Sequence, residues 1–168
     1  MNAYNTNEII SGNEKWMIFD LDGTLADITE RRKLADLGDG KIDWNKFFEP
    51  ENIKLDKPNK GVIVIAQYLY RAGIKILILS GRSEKTHLAT IEWLQKYEVP
   101  YDLIKMRPTT QDWNFMPDEH LKQYWLNKLF SGSVRRKNLI AVFDDRQKVV
   151  DMWRKNNVTC LQVAEGNF

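Results

Sequence analysis

Short apolar runs alternate with amphipathic stretches along most of the sequence. A brief apolar run closed by acidic or glycine residues is typical of a buried strand, and apolar positions three or four apart indicate a helix. These patterns predict strands over residues 16–19, 74–79, 101–106, 138–143 and 159–163. They predict helices over residues 61–71, 83–97, 118–130 and 146–155. The regular succession implies right-handed βαβ units, and hence an α/β fold whose parallel sheet is covered by helices on both faces.

Several predicted helices have recognisable ends and faces. Gly73 follows the first helix as a typical C-terminal stop, and Ser83 is placed to cap the second. One side of the second helix is predicted to carry Leu88, Ile91, Leu94 and Gln95. The third helix carries Leu121, Trp125 and Leu129 at intervals of four residues, and so on one side. The tryptophans at positions 93, 125 and 153 sit at helical core spacing, so we interpret them as packing residues.

One stretch departs from this rhythm. Residues 26–60 separate the first strand from the first helix and are charged, with scattered glycines and aromatics. This length exceeds a normal connection, so the stretch is predicted to be a small cap-like insertion near the active face of a single domain over 15–168. Its aromatics Trp44, Phe47 and Phe48 are expected to form a local core, with base stacking as the alternative. Residues 1–14 are expected to be a flexible lead-in.

Composition narrows the class of protein. Hydrophobic residues make up 43% and charged residues 29% of the 168 residues, as in an ordinary soluble domain. The formal net charge of +2 gives no global signal for nucleic acid, although a locally basic groove is compatible with it. The single cysteine, Cys160, is expected to be a buried, inert thiol. No signal-peptide pattern or bilayer-length apolar run is present, so we expect a cytoplasmic protein without membrane contact.

Polar residues follow three of the predicted strands. The first strand leads into Asp20 and Asp22, the second into Ser80-Gly81-Arg82, and the fourth into Asp144-Asp145. Ligands of a parallel α/β sheet bind at the carboxyl ends of its strands, so these groups are expected to converge on one crevice. The helix before the fourth strand makes Lys122 available to the same crevice.

This set of groups is suited to phosphoryl transfer. Clustered carboxylates repel one another unless a cation lies between them, and Mg²⁺ prefers oxygen ligands. Asp20 is then the candidate nucleophile that forms an aspartyl-phosphate, and Asp22 the candidate acid and base. Ser80 and the following amides are placed to hold phosphoryl oxygens, and Lys122 to supply fixed positive charge.

Four ordered motifs carry a family resemblance. Asp20-Leu21-Asp22-Gly23-Thr24, Ser80-Gly81-Arg82, Lys122 and Phe143-Asp144-Asp145-Arg146 resemble the motifs of the haloacid dehalogenase superfamily. The resemblance implies a Rossmann-like core and bound Mg²⁺, and an Asp at position 22 points to the phosphatases of the superfamily. The metal set it implies is Asp20, Asp22 through its carbonyl, Asp144 and Asp145.

A narrower resemblance lies in the last third of the chain. The stretch 144–154 and the closing stretch 162–168 resemble the 3′-phosphatase half of phage-type polynucleotide kinase-phosphatases. This implies a nucleic-acid 3′ end as substrate and adds an arginine after the first motif, with Arg31 preferred to Arg32. Substrate contacts are expected from Thr24, Gly81, Arg82, Arg31, Arg107 and Asp118. The pattern GxxxxGK(S/T) is absent, so ATP-dependent phosphorylation by this chain is not expected.

Two other functions use similar groups. A phosphatase of nucleoside monophosphates or other small molecules has the same catalytic set, since only the insertion selects the substrate. A non-enzymatic receiver domain also places a phosphorylatable aspartate, a hydroxyl and a lysine on a parallel sheet. Asp22 disfavours the receiver, because an acid–base group beside the nucleophile shortens the life of an aspartyl-phosphate.

Overall fold

The computed structural model describes residue 10 and residues 13–166. The predicted flexible lead-in, residues 1–14, therefore falls largely outside the described residues. Within that lead-in Ile10 is described, and it is buried in the same hydrophobic cluster as Trp16. At this one position the chain belongs to the core.

Nine strands form in the described part of the chain, and five of them build the central sheet. In chain order they are β1 (Trp16–Phe19), β2 (Ala26–Asp27), β3 (Asp36–Gly38), β4 (Lys41–Ile42), β5 (Lys57–Pro58), β6 (Lys75–Ser83), β7 (Leu103–Arg107), β8 (Leu139–Arg146) and β9 (Cys160–Gly166). The helices are α1 (Thr29–Ala35), α2 (Trp44–Phe47), α3 (Lys60–Arg71), α4 (His87–Lys96), α5 (Gln111–Asn114), α6 (Asp118–Leu129), α7 (Ser133–Asn138) and α8 (Gln147–Lys155). Short 3₁₀ helices span Pro50–Leu55 and Glu84–Thr86.

The central sheet has the strand order β7-β6-β1-β8-β9, and its neighbouring strands pair in parallel. The predicted α/β fold with a parallel sheet is thus confirmed. From β1 the chain passes outward through β6 and β7, then crosses β1 to continue through β8 and β9. The strand order therefore reverses beside β1, and the crevice at its carboxyl end is where such sheets bind ligands.

Two hydrophobic clusters cover the two faces of this sheet. Alternate residues of β1 enter them, with Phe19 in one and Ile18 in the other. The Phe19 cluster contains side chains of α3 and α4, and the Ile18 cluster contains side chains of α6 and α8. The three-layer arrangement follows from this alternation, because each sheet face must be covered to bury its apolar residues.

The segment 26–60 is built from short elements instead of one long loop. It contains α1, α2, the β3–β4 hairpin and the first 3₁₀ helix, and its ends pair as β2 and β5. Buried Ile53 and Phe47 join the Phe19 cluster, so the segment packs on the core. Trp44, Phe47 and Phe48 contact one another in pairs, as the prediction of a local core requires, while Trp44 stays 57% exposed.

Some predicted boundaries are wrong. The second predicted helix begins at His87, because β6 continues through Ser83 and a 3₁₀ turn follows it. Ser83 does act as a cap, but of that 3₁₀ turn, where its side chain accepts from the Lys85 amide. Leu88 is 71% exposed and does not share the buried side of α4 with Leu94, which is fully buried. The predicted packing of Trp93, Trp125 and Trp153 is confirmed, since all three are buried.

No helix formed by the described residues has the length and apolar character needed to cross a lipid bilayer. Cys160 is buried without a disulfide partner, and burial raises the pKa of its thiol to about 12. The burial of Cys160 agrees with the expectation of a buried thiol.

Candidate active site

The first acidic motif lies where β1 ends, at the centre of the sheet. Phe19 pairs with Ile78 of β6 on one side and Phe143 of β8 on the other. The Asp20 amide then donates to the Phe143 carbonyl at 2.9 Å, which fixes the backbone of the residue after the strand. The residues after Phe19 and Phe143 therefore emerge side by side at the carboxyl edge of the sheet.

Lys122 joins two of the carboxylates at this edge. From α6 its Nζ donates to Oδ1 of Asp20 at 2.6 Å and to Oδ2 of Asp144 at 2.8 Å. All three residues are buried, so these ion pairs are little screened by water. The Trp153 indole donates to the same Asp144 oxygen at 3.2 Å, while Oδ1 of Asp144 accepts the amides of Asp145 and Arg146. Asp144 is thus held at both oxygens, whereas Oδ2 of Asp20 accepts from no described residue.

Asp145 carries an unsatisfied oxygen. Thr24 donates to its Oδ1 at 3.3 Å, but its buried Oδ2 has no hydrogen-bond partner among the described residues. Gly23 has a φ of +86°, and a Cβ there would collide with the Asp145 carboxylate. Glycine is therefore required both by the backbone conformation and by the close approach of Asp145. A buried carboxylate oxygen without a donor is costly, and a cation is the group that would satisfy it.

The carboxylates of Asp20, Asp144 and Asp145 form a candidate metal centre. One oxygen from each lies within 4.8 Å of the others, and all three residues are buried. The donor set is all oxygen, which fits a hard divalent cation. The side chain of Asp22 is not part of this cluster. Only its main-chain carbonyl remains for the metal role that the resemblance implied.

The electrostatics of the cluster favour the binding of a cation. Burial raises the pKa of Asp20 well above its usual value, and the nearby charges of Asp144 and Asp145 act in the same direction, against Lys122. Burial and the charge of Asp144 raise the pKa of Asp145 to about 6. Burial would lower the pKa of Lys122, but Asp144 and Asp20 outweigh it and raise that pKa. The lysine therefore stays charged, and a further cation would favour the ionised carboxylates.

Asp22 belongs to a second charged group. Its Oδ1 accepts from Nη2 of Arg31 and from Nε of Arg82, each at 2.6 Å. Burial would raise the pKa of Asp22, but the two guanidinium groups outweigh it and lower that pKa. Of the two arginines considered after the first motif, Arg31 is the one that donates a hydrogen bond to Asp22. Arg31 and Arg82 have no exposed side-chain surface, and both pair with Asp22. Their contacts with substrate stay a prediction.

Asp56 completes this second group. Its Oδ1 accepts from Nε of Arg31 at 2.8 Å and its Oδ2 from Nη2 of Arg82 at 2.5 Å. Burial raises the pKa of Asp56 to about 6, and the charge of Asp22 adds to this against the two arginines. Two carboxylates and two guanidiniums thus form a closed, buried network at the side of the crevice.

A third group surrounds Asp118. Arg107 donates to the Asp118 carboxylate and, through Nε, to the Gly81 carbonyl at 3.0 Å. Arg146 donates to the other Asp118 oxygen at 2.5 Å. A Cβ on Gly81 would collide with the Asp118 carboxylate, which explains why glycine follows Ser80. Ser80 is buried and its hydroxyl accepts from the Arg82 amide at 3.2 Å, so in this structure it shapes the irregular end of β6 that presents Gly81 and Arg82.

The sequence that builds this site matches a known protein family. A model of the family described as "Polynucleotide kinase PNKP phosphatase domain" matches residues 14–168. The chain belongs to this family. It is a phosphatase of the haloacid dehalogenase superfamily, as the ordered motifs indicated. The receiver-domain alternative is set aside by this result.

This PNKP-type phosphatase spans less than half the length of the first two relatives described here. A protein of Autographa californica nuclear polyhedrosis virus, named as a bifunctional polynucleotide kinase/RNA ligase, is 34% identical over 143 residues, which are 82% of this chain and 17% of that protein. A chain from the Pnkp1/Rnl/Hen1 RNA repair complex is 28% identical with a TM-score of 0.69, over 96% of this chain and 46% of that chain. A phosphatase of Clostridium difficile matches at a TM-score of 0.62 and 15% identity over 89% of this chain and 85% of that chain, which supports the shared fold.

Three contacts of this PNKP-type site were not predicted from the sequence. Asp56 lies in a lysine-rich part of the segment 26–60, where a solvated acid is the ordinary expectation. Trp153 was assigned to packing alone, yet a buried indole needs a hydrogen-bond acceptor, and that requirement was a usable signal. Arg146 stands directly after the last motif but was not assigned a contact with Asp118.

Proposed function

We propose that the chain is a magnesium-dependent phosphomonoesterase that acts through an aspartyl-phosphate on Asp20 and removes 3′-phosphate from nucleic-acid ends. The observation that carries the chemistry is the buried cluster of Asp20, Asp144 and Asp145 with Lys122 in contact with the first two. Bound Mg²⁺ would be held by those three carboxylates and the carbonyl of Asp22, and would neutralise phosphate charge.

In the first step, Asp20 attacks phosphorus through Oδ2, the oxygen to which no described residue donates. Asp22 first takes up a proton from solvent, to which its side chain is partly exposed, because its two arginines favour the ionised form in the free enzyme. The bond between phosphorus and the ester oxygen of the substrate then breaks, and the leaving oxygen takes that proton from Asp22. Lys122 holds the Asp20 carboxylate through Oδ1, which fixes the direction of attack.

In the second step, water attacks the aspartyl-phosphate and Asp22 removes its proton. The phosphorus–Asp20 bond breaks, which regenerates the Asp20 carboxylate and releases inorganic phosphate. The hydroxyl of Thr24 and the amides after Ser80 are the groups that we assign to the phosphoryl oxygens. Thr24 already lies 3.3 Å from the Asp145 carboxylate, at the edge of the acidic cluster.

The family match and the relatives named for polynucleotide or RNA repair support a nucleic-acid 3′ end as the substrate. Phosphate release from a 3′-phosphorylated oligonucleotide, compared with release from nucleoside 3′- and 5′-monophosphates, tests this choice. We expect a higher kcat/KM on the oligonucleotide. Fast turnover of a mononucleotide with an untouched oligonucleotide would instead establish the small-molecule alternative.

Magnesium is expected to stabilise the fold. A ligand that binds only the folded state at a hundred times its Kd contributes about 2.7 kcal/mol. For a domain of this size that is a rise in Tm of about 5–10 °C. Thermal unfolding in MgCl₂ and in EDTA, with ionic strength matched by NaCl, measures it. The Asp145→Asn variant should lose most of the rise, because it removes one of the three oxygen ligands. An equal Tm in both buffers would contradict the assigned site.

Trp44 is expected to contact the nucleic acid. Its ring is 57% exposed and stacks on Phe48, and Phe47 of the same cluster lies under the Arg31 guanidinium. Stacking with one base contributes about 1–3 kcal/mol, so Trp44→Ala should raise KM for the oligonucleotide about tenfold. The KM for p-nitrophenyl phosphate, which has no base, should not change. Tyr68→Ala, an exposed aromatic on α3, is the control. Equal KM values for the oligonucleotide would leave Trp44 with a packing role only.

A further inference from the structure

Asp56 is a fully buried carboxylate that no motif assigns to catalysis. Its side chain has no exposed surface, and each of its oxygens accepts from a different arginine. The backbone at this position is also fixed, because the Asp56 carbonyl accepts the Trp93 indole at 2.9 Å. Burying a charge is expensive unless it is paired and hydrogen-bonded. The fold therefore places this carboxylate here at a cost, in contact with two arginines.

The same two arginines hold Asp22. Arg31 uses Nε for Asp56 and Nη2 for Asp22, whereas Arg82 uses Nη2 for Asp56 and Nε for Asp22. A guanidinium is planar and its donors form a rigid fork, so fixing one donor fixes the direction of its neighbour. In both arginines Nε and Nη2 lie on the same edge of the guanidinium, so each arginine bridges the two carboxylates, and Asp56 fixes the donor beside the one that Asp22 accepts.

The orientation of Asp22 follows from these contacts. Both arginines donate to Oδ1, and no described residue donates to Oδ2. The Asp22 side chain is 18% exposed, whereas the other three members of the network have no exposed side-chain surface. Oδ2 is consequently the one oxygen of the network that remains for proton transfer.

We infer that Asp56 is a positioning residue for the phosphatase reaction, which acts through Arg31 and Arg82 to aim the free oxygen of Asp22 at the leaving oxygen of the substrate. This inference rests on the proposed function, in which Asp22 protonates that oxygen. Without the Asp56 carboxylate, each guanidinium keeps Asp22 and one long contact through Nη1, from Arg31 to the Phe47 carbonyl at 3.3 Å and from Arg82 to the Thr90 hydroxyl at 3.4 Å. Each arginine then loses its only other charged partner among the described residues, and its orientation is less firmly fixed. Such a displacement affects proton donation more than attack by Asp20, because Asp20 is held separately by Lys122.

The dependence of rate on the leaving group tests the inference. The alkoxide at a 3′ end needs a proton to leave, whereas p-nitrophenolate leaves without one. The two substrates are compared by kcat/KM, because this constant covers the steps from the free enzyme to the loss of the leaving alcohol. Asp56→Asn is expected to lower kcat/KM on a 3′-phosphorylated oligonucleotide about 10²-fold, and on p-nitrophenyl phosphate only about threefold or less.

Three further variants make the outcome decisive. Asp22→Asn should show the same selectivity, and if it does not, the proposed acid role of Asp22 fails and this inference with it. Asp102→Asn removes a carboxylate that pairs Lys75 at the start of β6, and should affect both substrates alike. Asp56→Glu retains the charge, so it serves if the asparagine variant does not fold, and a smaller selectivity of the same sign is expected. Equal losses on both substrates in the Asp56 variants, beside a selective Asp22→Asn, would overturn the positioning role.

Discussion

Replacing Asp20 with asparagine is expected to lower kcat by about 10⁴-fold or more on every phosphomonoester, because the proposed nucleophile is lost. Phosphate release measured with an oligonucleotide and with p-nitrophenyl phosphate gives both rates. The loss should be equal on the two substrates, since both are attacked by the same nucleophile whichever group leaves. This equality separates Asp20 from Asp22, whose loss is expected to depend on the leaving group.

The same variant is expected to remain folded. Asp20→Asn removes one charge from a buried cluster of three carboxylates, so the Tm in EDTA should stay the same or rise. Asp151→Asn is a matched control, because it makes the same chemical change on the exposed surface of α8 and should leave kcat unaltered. Undiminished hydrolysis by Asp20→Asn would exclude an aspartyl-phosphate at this residue.

Replacing Lys122 with methionine is expected to reduce both stability and turnover. The lysine is buried between Asp20 and Asp144, so its loss leaves two buried carboxylates without their ammonium partner. Breaking a buried ion pair in this way costs about 3–5 kcal/mol. Urea unfolding in EDTA measures that cost. Loss of a fixed charge beside the nucleophile should also lower kcat by about 10²–10³-fold, as measured in MgCl₂.

Two comparisons identify the origin of the Lys122 effect. Lys128→Met changes an exposed lysine of the same helix and should alter neither stability nor kcat. The double variant Asp20→Asn with Lys122→Met should unfold at higher urea than Lys122→Met alone, because one of the two stranded carboxylates is removed. Additive effects in this cycle would show that Lys122 contributes packing and not charge.

The centre of the sheet could be predicted because β1, β8 and the first part of β6 are apolar runs followed by polar residues. Local hydrophobic pattern and the right-handed βαβ rule together determine the layers. The end of β6 could not be predicted, since Ser80 to Ser83 is polar and continues as a strand only through pairing with β7, across a register shift. Residues 26–60 were predicted as an insertion, but their short elements depend on tertiary contacts such as that of Arg31 with the Phe47 ring.

For the site, the sequence identified the residues of the motifs but not the contacts among them. Asp20, Asp144 and Lys122 converge as expected, because strand ends in a parallel sheet share one edge. The separation of Asp22 from this cluster was not visible, since it depends on two arginines that are 51 positions apart. Asp56 was missed for the same reason. Its partners are distant in sequence, and an aspartate beside lysines is ordinarily solvated.

The buried network of Asp22, Arg82, Arg31 and Asp56 has a consequence for protein engineering. Two of its members come from the strand ends of the core, and two from residues 26–60. A chimaera that exchanges residues 26–60 for the corresponding region of another phosphatase would therefore remove two of the three charges that hold Asp22. Grafts designed to change substrate choice should retain Arg31 and Asp56 with their spacing and redesign only the exposed surface around Trp44.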